Sequence, residues 1–305
     1  IFCLMKTIVI TGAAGFIGRH VASEFAKNGW HVTGIGHGDR FDFRSHGISQ
    51  WHQCDITLES LVSFSGKPDV IVNCAGSSSV GFSFDQPAVD FDLTVRITSN
   101  ILEFIRIHSS ASKLVSLSSA AVYGQVKSLP IFEGDQLNPL SPYGVDKLIA
   151  ESLCQLYARQ YGLSLAIVRP FSIYGDGLKK QLLWDACQKL RQGNLDFFGS
   201  GEEIRDWLHV KDLAEFLFLV AINESTARSV VNAGRGKGVP VKDILRQLIS
   251  SFGLKSEPNF SLKPKAGDPD AYIADISNAL TLGWVPKIEW QEGVASYVAW
   301  YKKCQ

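Results

Sequence analysis

The stretch TGAAGFIG constrains this chain more than any other. It sets Gly12, Gly15 and Gly18 between a short apolar run, Lys6 to Thr11, and a helical pattern from Gly15 to Asn28 that Gly29 closes. Glycine permits a tight turn and a close approach of backbone to a ligand, and a helix N-terminus favours negative charge. The spacing is G-x-x-G-x-x-G, and its place on a strand–turn–helix step makes it a candidate pyrophosphate cradle. Strand and helix patterns then alternate. His31 to Gly36, Pro68 to Gly76, Lys113 to Ser119 and Leu163 to Pro170 read as buried strands, with helical stretches Pro87 to His108 and Pro142 to Tyr161 between them. Such alternation predicts an α/β fold, a doubly wound parallel sheet covered on both faces.

The pattern loosens after Phe171. Helices (Lys179 to Arg191, Lys211 to Asn223, Val241 to Phe252) mix with short strands and Gly/Pro-rich links. We therefore expect a dinucleotide-binding domain over residues 1–172 and a smaller mixed C-terminal substrate lobe over 173–305, with some segments returning to the first domain. Net charge is zero over 305 residues, so no basic face points to nucleic acid, and no apolar run is long enough for a membrane span. The six cysteines are scattered without a C-x-x-C pair, which predicts no metal site, no disulfide framework and a reducing, cytoplasmic setting. Met5, the only methionine, is followed by a basic residue and a strand pattern. Ile1 to Leu4 read as residues ahead of the natural start, too few for a signal peptide.

LSPYGVDK carries the candidate chemistry. Ser141 suits an N-cap and Pro142 a first helical position, so Tyr143 and Lys147 lie one turn apart on one helical face. An ammonium beside a phenol favours the phenolate, which predicts a lowered Tyr143 pKa and a proton donor and acceptor for an alcohol–ketone pair. VSLSSAAVYG sets Ser118 and Ser119 at the carboxyl end of a strand, where ligands bind in open α/β sheets.

Taken in order, TGAAGFIG, SSAAVYG, SPYGVDK, RDWLHVKDLAE and ADISNALTLGWVPK resemble the extended short-chain dehydrogenase/reductase family, whose members modify nucleotide sugars. The resemblance runs over almost the whole chain. It implies a Rossmann-type lobe, a C-terminal lobe for a nucleoside-diphosphate sugar, and Ser119, Tyr143 and Lys147 as the catalytic set. Tyr143 would exchange a proton with a sugar oxygen, Lys147 would also hold the nicotinamide ribose, and Ser119 would orient the substrate. The cofactor contacts implied are Gly12, Gly15, Phe16, Ile17, Gly18, Gly36, His37, Arg40, Asp55, Ile56, Ala75, Gly76, Tyr143, Lys147 and Pro170. For the substrate they are Ser79, Ser119, Arg205, which would meet the diphosphate, and Lys265. His209 reads as a structural hydrogen-bonding residue. Relatives pair two helices across a twofold axis, and the helical stretches Pro87 to His108 and Pro142 to Tyr161 are rich enough in apolar residues (Val89, Leu93, Ile97, Ile101, Phe104, Ile105) to predict a homodimer.

Two departures bear on the reaction. Dehydratases of the family place Asp and Glu after the catalytic hydroxyl residue; here Ala120 and Ala121 stand there, and neither methyl carries a proton. Relatives that prefer NAD end the second strand with an acid on the adenine ribose; here that position is Gly36, followed by His37 and Arg40. Glycine would leave room for a 2′-phosphate, and His37 or Arg40 could donate to it. On this reading the cofactor is NADP, with NAD as the alternative. The function expected is then NADPH-dependent reduction of an NDP-4-keto-6-deoxysugar, with Tyr143 as proton donor. The alternatives are an NDP-sugar 4-epimerase with tightly bound NAD, and a non-catalytic NADP-binding regulator.

Overall fold

The computed structural model describes residues 5–38, 41–77, 79–227, 229–262 and 270–304. It divides into two compact units, one of residues 1–124, 136–169 and 214–231, the other of 125–135, 170–213 and 232–305. The chain changes unit between residues 169 and 170, beside the expected 172, and residues 214–231 return to the first unit. Residues 125–135 join the second unit through backbone bonds of Ile131 with Ile273 and Asp275, and 214–231 supply a helix and most of a strand to the first.

The first unit is built on strands β1 (Thr7–Thr11), β2 (His31–Gly36), β3 (Gln50–Gln53), β4 (Val70–Asn73), β5 (Lys113–Leu117) and β6 (Leu165–Pro170). After β7 (Ser172–Tyr174), β8 (Asp196–Phe197) and β9 (Ile204–His209), β10 (Ser229–Ala233) completes a seven-stranded sheet of order β10-β6-β5-β4-β1-β2-β3. From β3 across to β6 every neighbouring pair is parallel. β1, β4, β5 and β6 are buried almost throughout, as apolar strands covered on both faces must be. The covering helices include α1 (Phe16–Lys27), α2 (Leu58–Phe64), α3 (Val80–Asp85), α4 (Pro87–Phe91), α5 (Ile97–His108) and α6 (Pro142–Tyr161). The stretch expected as one helix over 87–108 is broken by a π-helical turn, Asp92–Arg96, between α4 and α5.

Chain order reverses between β1 and β4, and this switch point is where open α/β sheets bind ligands. Thr11 and Asn73 are paired in register there, and the Thr11 hydroxyl donates to Asn73 Oδ1 at 2.7 Å. The core joins Val9, Ile35 and Ile71 of the sheet to Leu61 of α2 and to Ile101, Leu102, Phe104 and Ile105 of α5. Of the residues expected at a twofold contact, Ile101, Phe104 and Ile105 are thus internal. Exposed apolar side chains of these segments include Val89, Phe91 and Leu93, with Val145, Ile149 and Leu156 of α6.

The second unit holds a small sheet in which β9 lies between parallel β7 and antiparallel β11 (Gly238–Pro240), and a parallel pair of β8 with β12 (Asn259–Phe260). Its helices include α7 (Gln181–Arg191), α9 (Val241–Phe252), α10 (Ser277–Thr281) and α11 (Trp290–Lys303); α8 (Val210–Ile222) runs from this unit into the first. Asp206 organises its loops by accepting from the backbone N–H groups of Arg235, Gly236 and Ala274. Among the described residues no helix is long and apolar enough to cross a membrane, and no cluster of metal-ligating side chains occurs.

Candidate active site

Each glycine of the first loop answers to a steric demand. Gly12 takes a left-handed φ of +67°, and a Cβ there would lie 2.8 Å from the Ala75 nitrogen at the end of β4. A Cβ on Gly18 would lie 2.3 Å from the Gly12 oxygen. Gly15 is the N-cap of α1 and offers no side-chain cap. Phe16, Ile17 and Gly18 therefore carry first-turn N–H groups that neither the helix nor a cap engages. Donors at a helix N-terminus beside a glycine cradle suit a dinucleotide pyrophosphate. Arg19, which sequence reasoning passed over, ties the loop by donating to the Ala14 carbonyl at 2.7 Å and the Gly15 carbonyl at 3.2 Å.

Gly36 ends β2 with a φ of +152°, and a Cβ there would sit 3.3 Å from Gly12 Cα. Close packing of strand against loop explains this glycine without a phosphate. His37 Nε2 lies 2.8 Å from Asp55 Oδ1, and both side chains are largely exposed. Ile56 is buried, and its carbonyl accepts from Asn100 Nδ2 at 3.0 Å. Pro170 is the buried last residue of β6. Arg40 and Lys265 lie outside the described residues.

Ser119 follows β5, and its Oγ accepts from the Ala121 N–H at 3.1 Å while hydrogen-bonding the Tyr143 hydroxyl. The neighbouring Ser118 hydroxyl is buried without a partner among the described residues. α6 presents the other two groups. Ser141 accepts from the Gly144 N–H at 3.2 Å, which starts the helix where the sequence placed its cap. Lys147 is buried, its Nζ donates to the Leu117 carbonyl at 3.1 Å, and it lies 5.7 Å from the Tyr143 ring centroid. Gly76, after β4, passes so close that a Cβ would come within 3.3 Å of that Nζ.

The electrostatics correct one expectation. Burial raises the Tyr143 pKa, the Ser119 hydrogen bond draws it back, and the charge of Asp90 raises it further. The Lys147 ammonium is turned to the Leu117 carbonyl. Lys147 is itself pushed down to about 8 by burial, against the opposing pull of Asp90, Cys74 and Glu151. Sequence reasoning missed two buried carboxyls, Asp90 of α4 and Asp146 of α6. It also missed Thr94, whose hydroxyl accepts from the Ser77 N–H at 3.4 Å. The available signal was polar residues at helical spacing on a face otherwise buried.

The remaining expected residues have the following surroundings. Ser79 caps α3, accepting from the Phe82 N–H at 3.3 Å. Ala120 and Ala121 form the short helical turn after Ser119. In the second unit, Arg205 Nη1 donates to the Ile204 carbonyl at 2.9 Å, while Glu203 is engaged by Ser200 and Gly201. His209 is buried, and its Nδ1 accepts from the Lys211 N–H at 3.2 Å, a structural bond.

A glycine loop at the switch point of a doubly wound sheet, with Ser119, Tyr143 and Lys147 gathered about the next strand end, is the arrangement of the short-chain dehydrogenase/reductase class. Comparison with known proteins narrows the class. Residues 8–234 match the NAD dependent epimerase/dehydratase family, and the chain belongs to that family. It is 30% identical to the UDP-glucose 4-epimerase of Lactobacillus helveticus, over 98% of this chain and 97% of that one. Its fold superposes on UDP-glucose 4-epimerase of Thermotoga maritima, solved with UDP-glucose, at a TM-score of 0.89 with 26% identity, covering 98% and 99% of the two chains. UDP-glucuronic acid 4-epimerase of Bacillus cereus, solved with UDP-glucuronic acid and NAD, gives 0.89 with 28% identity, covering 98% of this chain and all of that one.

Proposed function

We propose that this chain is a 4-epimerase of a UDP-sugar that works with a retained NAD. The reading reverses the order expected from sequence, in which a reductase stood first. The observation that carries it is the pairing of His37 with Asp55 at 2.8 Å. The imidazole nitrogen that a 2′-phosphate would need is bound to a carboxylate, and a second negative group there would meet that carboxylate's charge. With Gly36 explained by packing against Gly12, no described residue at the end of β2 calls for NADP. End-to-end likeness to 4-epimerases supports the same choice.

Bound NAD supplies the hydride acceptor and, on the return, the donor. The chain's own groups do the rest. Tyr143, hydrogen-bonded to Ser119, takes the proton of the sugar C4 hydroxyl and gives it back after the keto sugar has turned its other face. Lys147 keeps an ammonium beside the site of proton exchange and a donor for the nicotinamide ribose. Ala120 and Ala121 offer no acid or base, so elimination to a 6-deoxy sugar is absent from the chemistry. Arg205 is proposed to contact the diphosphate. The exposed apolar residues of α4, its π turn and α6 are proposed to pair two copies.

The test is to incubate the purified protein with UDP-glucose, UDP-galactose and UDP-glucuronic acid, without added cofactor, and to identify both product and retained dinucleotide. We expect inversion at C4 and released NAD, with Tyr143→Phe at least roughly 100-fold slower. Consumption of NADPH on a 4-keto-6-deoxysugar nucleotide, with no C4 inversion, would restore the reductase.

A further inference from the structure

A buried ion pair lies one helical turn beyond Lys147, and no step above uses it. Tyr143, Lys147 and Glu151 stand four residues apart along α6, so the three share one face of the helix. Glu151 is 3% exposed, and a fork from Arg169, the penultimate residue of β6, grips its carboxylate. Nε donates to one oxygen at 2.9 Å and Nη2 to the other at 2.7 Å. The remaining nitrogen, Nη1, donates to the Tyr123 hydroxyl at 3.0 Å, and the guanidinium carbon lies 4.9 Å from the Tyr123 ring centroid. Arg169 and Tyr123 are as deeply buried as Glu151. Tyr123 ends the short turn Ala120–Val122 that follows Ser119. One guanidinium therefore joins β6, the Tyr143 face of α6 and the turn that carries Ser119.

We infer that Arg169, Glu151 and Tyr123 are positioning residues, which brace the Ser119 turn against α6 and so hold Ser119, Tyr143 and Lys147 in one arrangement. The turn is fastened to α6 at two levels. At the start of the helix, the Asn138 N–H donates to the Val122 carbonyl at 3.1 Å, and a Cβ on Gly144 would lie 2.8 Å from the Ala121 carbonyl oxygen. About two turns further along, the chain from Glu151 through Arg169 to Tyr123 makes the second attachment. A helix held only at its first turn is free to roll about its axis. An anchor eight residues beyond Tyr143 fixes that roll. It thereby fixes the direction of Lys147 between the two anchors, whose Nζ reaches the Leu117 carbonyl at 3.1 Å.

Stability alone does not account for these residue types. Desolvation of a carboxylate and a guanidinium offsets most of their attraction, and an apolar set of similar volume is often as stable or more so. What the fork adds is direction. Two parallel bonds set the plane of the guanidinium against Glu151, and that plane aims the third nitrogen at Tyr123. Leucine and methionine would fill the space and leave the turn free to shift, and a misplacement of about 1 Å at reacting groups costs on the order of 100-fold in rate.

The inference rests on the epimerase reading only where turnover is the readout, and a second readout needs no substrate. Three variants separate direction from stability. Tyr123→Phe cuts the arm to the turn and leaves the ion pair. Arg169→Lys keeps the charge and loses the fork. The apolar set Tyr123→Phe, Glu151→Leu and Arg169→Met together strands no charge; should it not fold, the first two decide. Backbone amide exchange is followed by mass spectrometry on peptides spanning 119–124 and 136–145. It is expected to rise roughly fivefold in Tyr123→Phe and about tenfold or more in the other two, with peptides of β1 and β4 unchanged. In the apolar set kcat for C4 inversion should fall by roughly 10- to 100-fold, while KM and the retained NAD stay within about twofold of wild type. Turn peptides that exchange no faster than wild type overturn the proposal. So does a rise shared equally by β1 and β4, a loss that appears in KM rather than kcat, or faster exchange with kcat unchanged. Faster exchange at the turn in a protein that inverts no sugar nucleotide upholds the brace and counts against the epimerase reading alone.

Discussion

At the residue scale, Gly36 changes its meaning between sequence and structure. Read along the chain, it is an acid missing from a ribose site. In the fold, its φ of +152° and the 3.3 Å from a would-be Cβ to Gly12 Cα make it a packing requirement. A side chain held in such a conformation costs about 1–3 kcal/mol. Gly36→Asp and Gly36→Ala are therefore both expected to weaken NAD and NADP together, by roughly tenfold, rather than to exchange one for the other. Titration of each cofactor against each variant checks this; an Asp variant that gains NAD while Ala changes nothing would return the loop to a phosphate site. Tyr143 shows the same limit in its charge. Its identity and its turn-apart spacing from Lys147 are plain in SPYGVDK, yet its poise depends on burial, Ser119 and Asp90, which lie far away in sequence.

At the element scale, the clearest case is α6. Ser141, Pro142 and Gly162 mark its ends locally, and the helix runs over the expected Pro142–Tyr161. Cap and breaker chemistry is short-range, so sequence alone locates it. The expected helix over 87–108 shows the opposite. Its apolar periodicity is real, but the π turn at Asp92–Arg96 leaves no mark in a residue count. Lys113 is another long-range decision. At the start of β5 its Nζ donates to the Val220 and Asn223 carbonyls and to the Thr226 hydroxyl, at 2.6, 2.6 and 2.7 Å, capping the end of α8. Lys113→Met keeps the length of the side chain and strands those acceptors. We expect a loss of about 1–3 kcal/mol, read as a lower midpoint in denaturant with the slope unchanged; a loss under half a kcal/mol (on the order of surface changes) would deny Lys113 that role.

At the scale of the whole molecule, the exposed Val89, Phe91 and Leu93 of the α4–π segment and Val145, Ile149 and Leu156 of α6 form an apolar surface that water does not favour. The residues first expected there, Ile101, Phe104 and Ile105, are spent on the protein's own core. We expect a dimer by light scattering at micromolar concentration, and a folded monomer on replacing Phe91 and Val145 together by aspartate. A monomeric wild type would refute the pairing.

By itself the sequence determined the alternating α/β fold, the glycine loop and the cap that sets Tyr143 one turn from Lys147, because turn geometry, apolar periodicity and helix capping are written in neighbouring residues. Tertiary structure alone decided which glycines serve packing, that His37 is held by Asp55, and that Asp90 and Asp146 are buried. It also assigned residues 125–135 to the second compact unit and 214–231 to the first. Those outcomes depend on burial and on groups brought together across large sequence separations, and desolvation and close contact are properties of the folded neighbourhood.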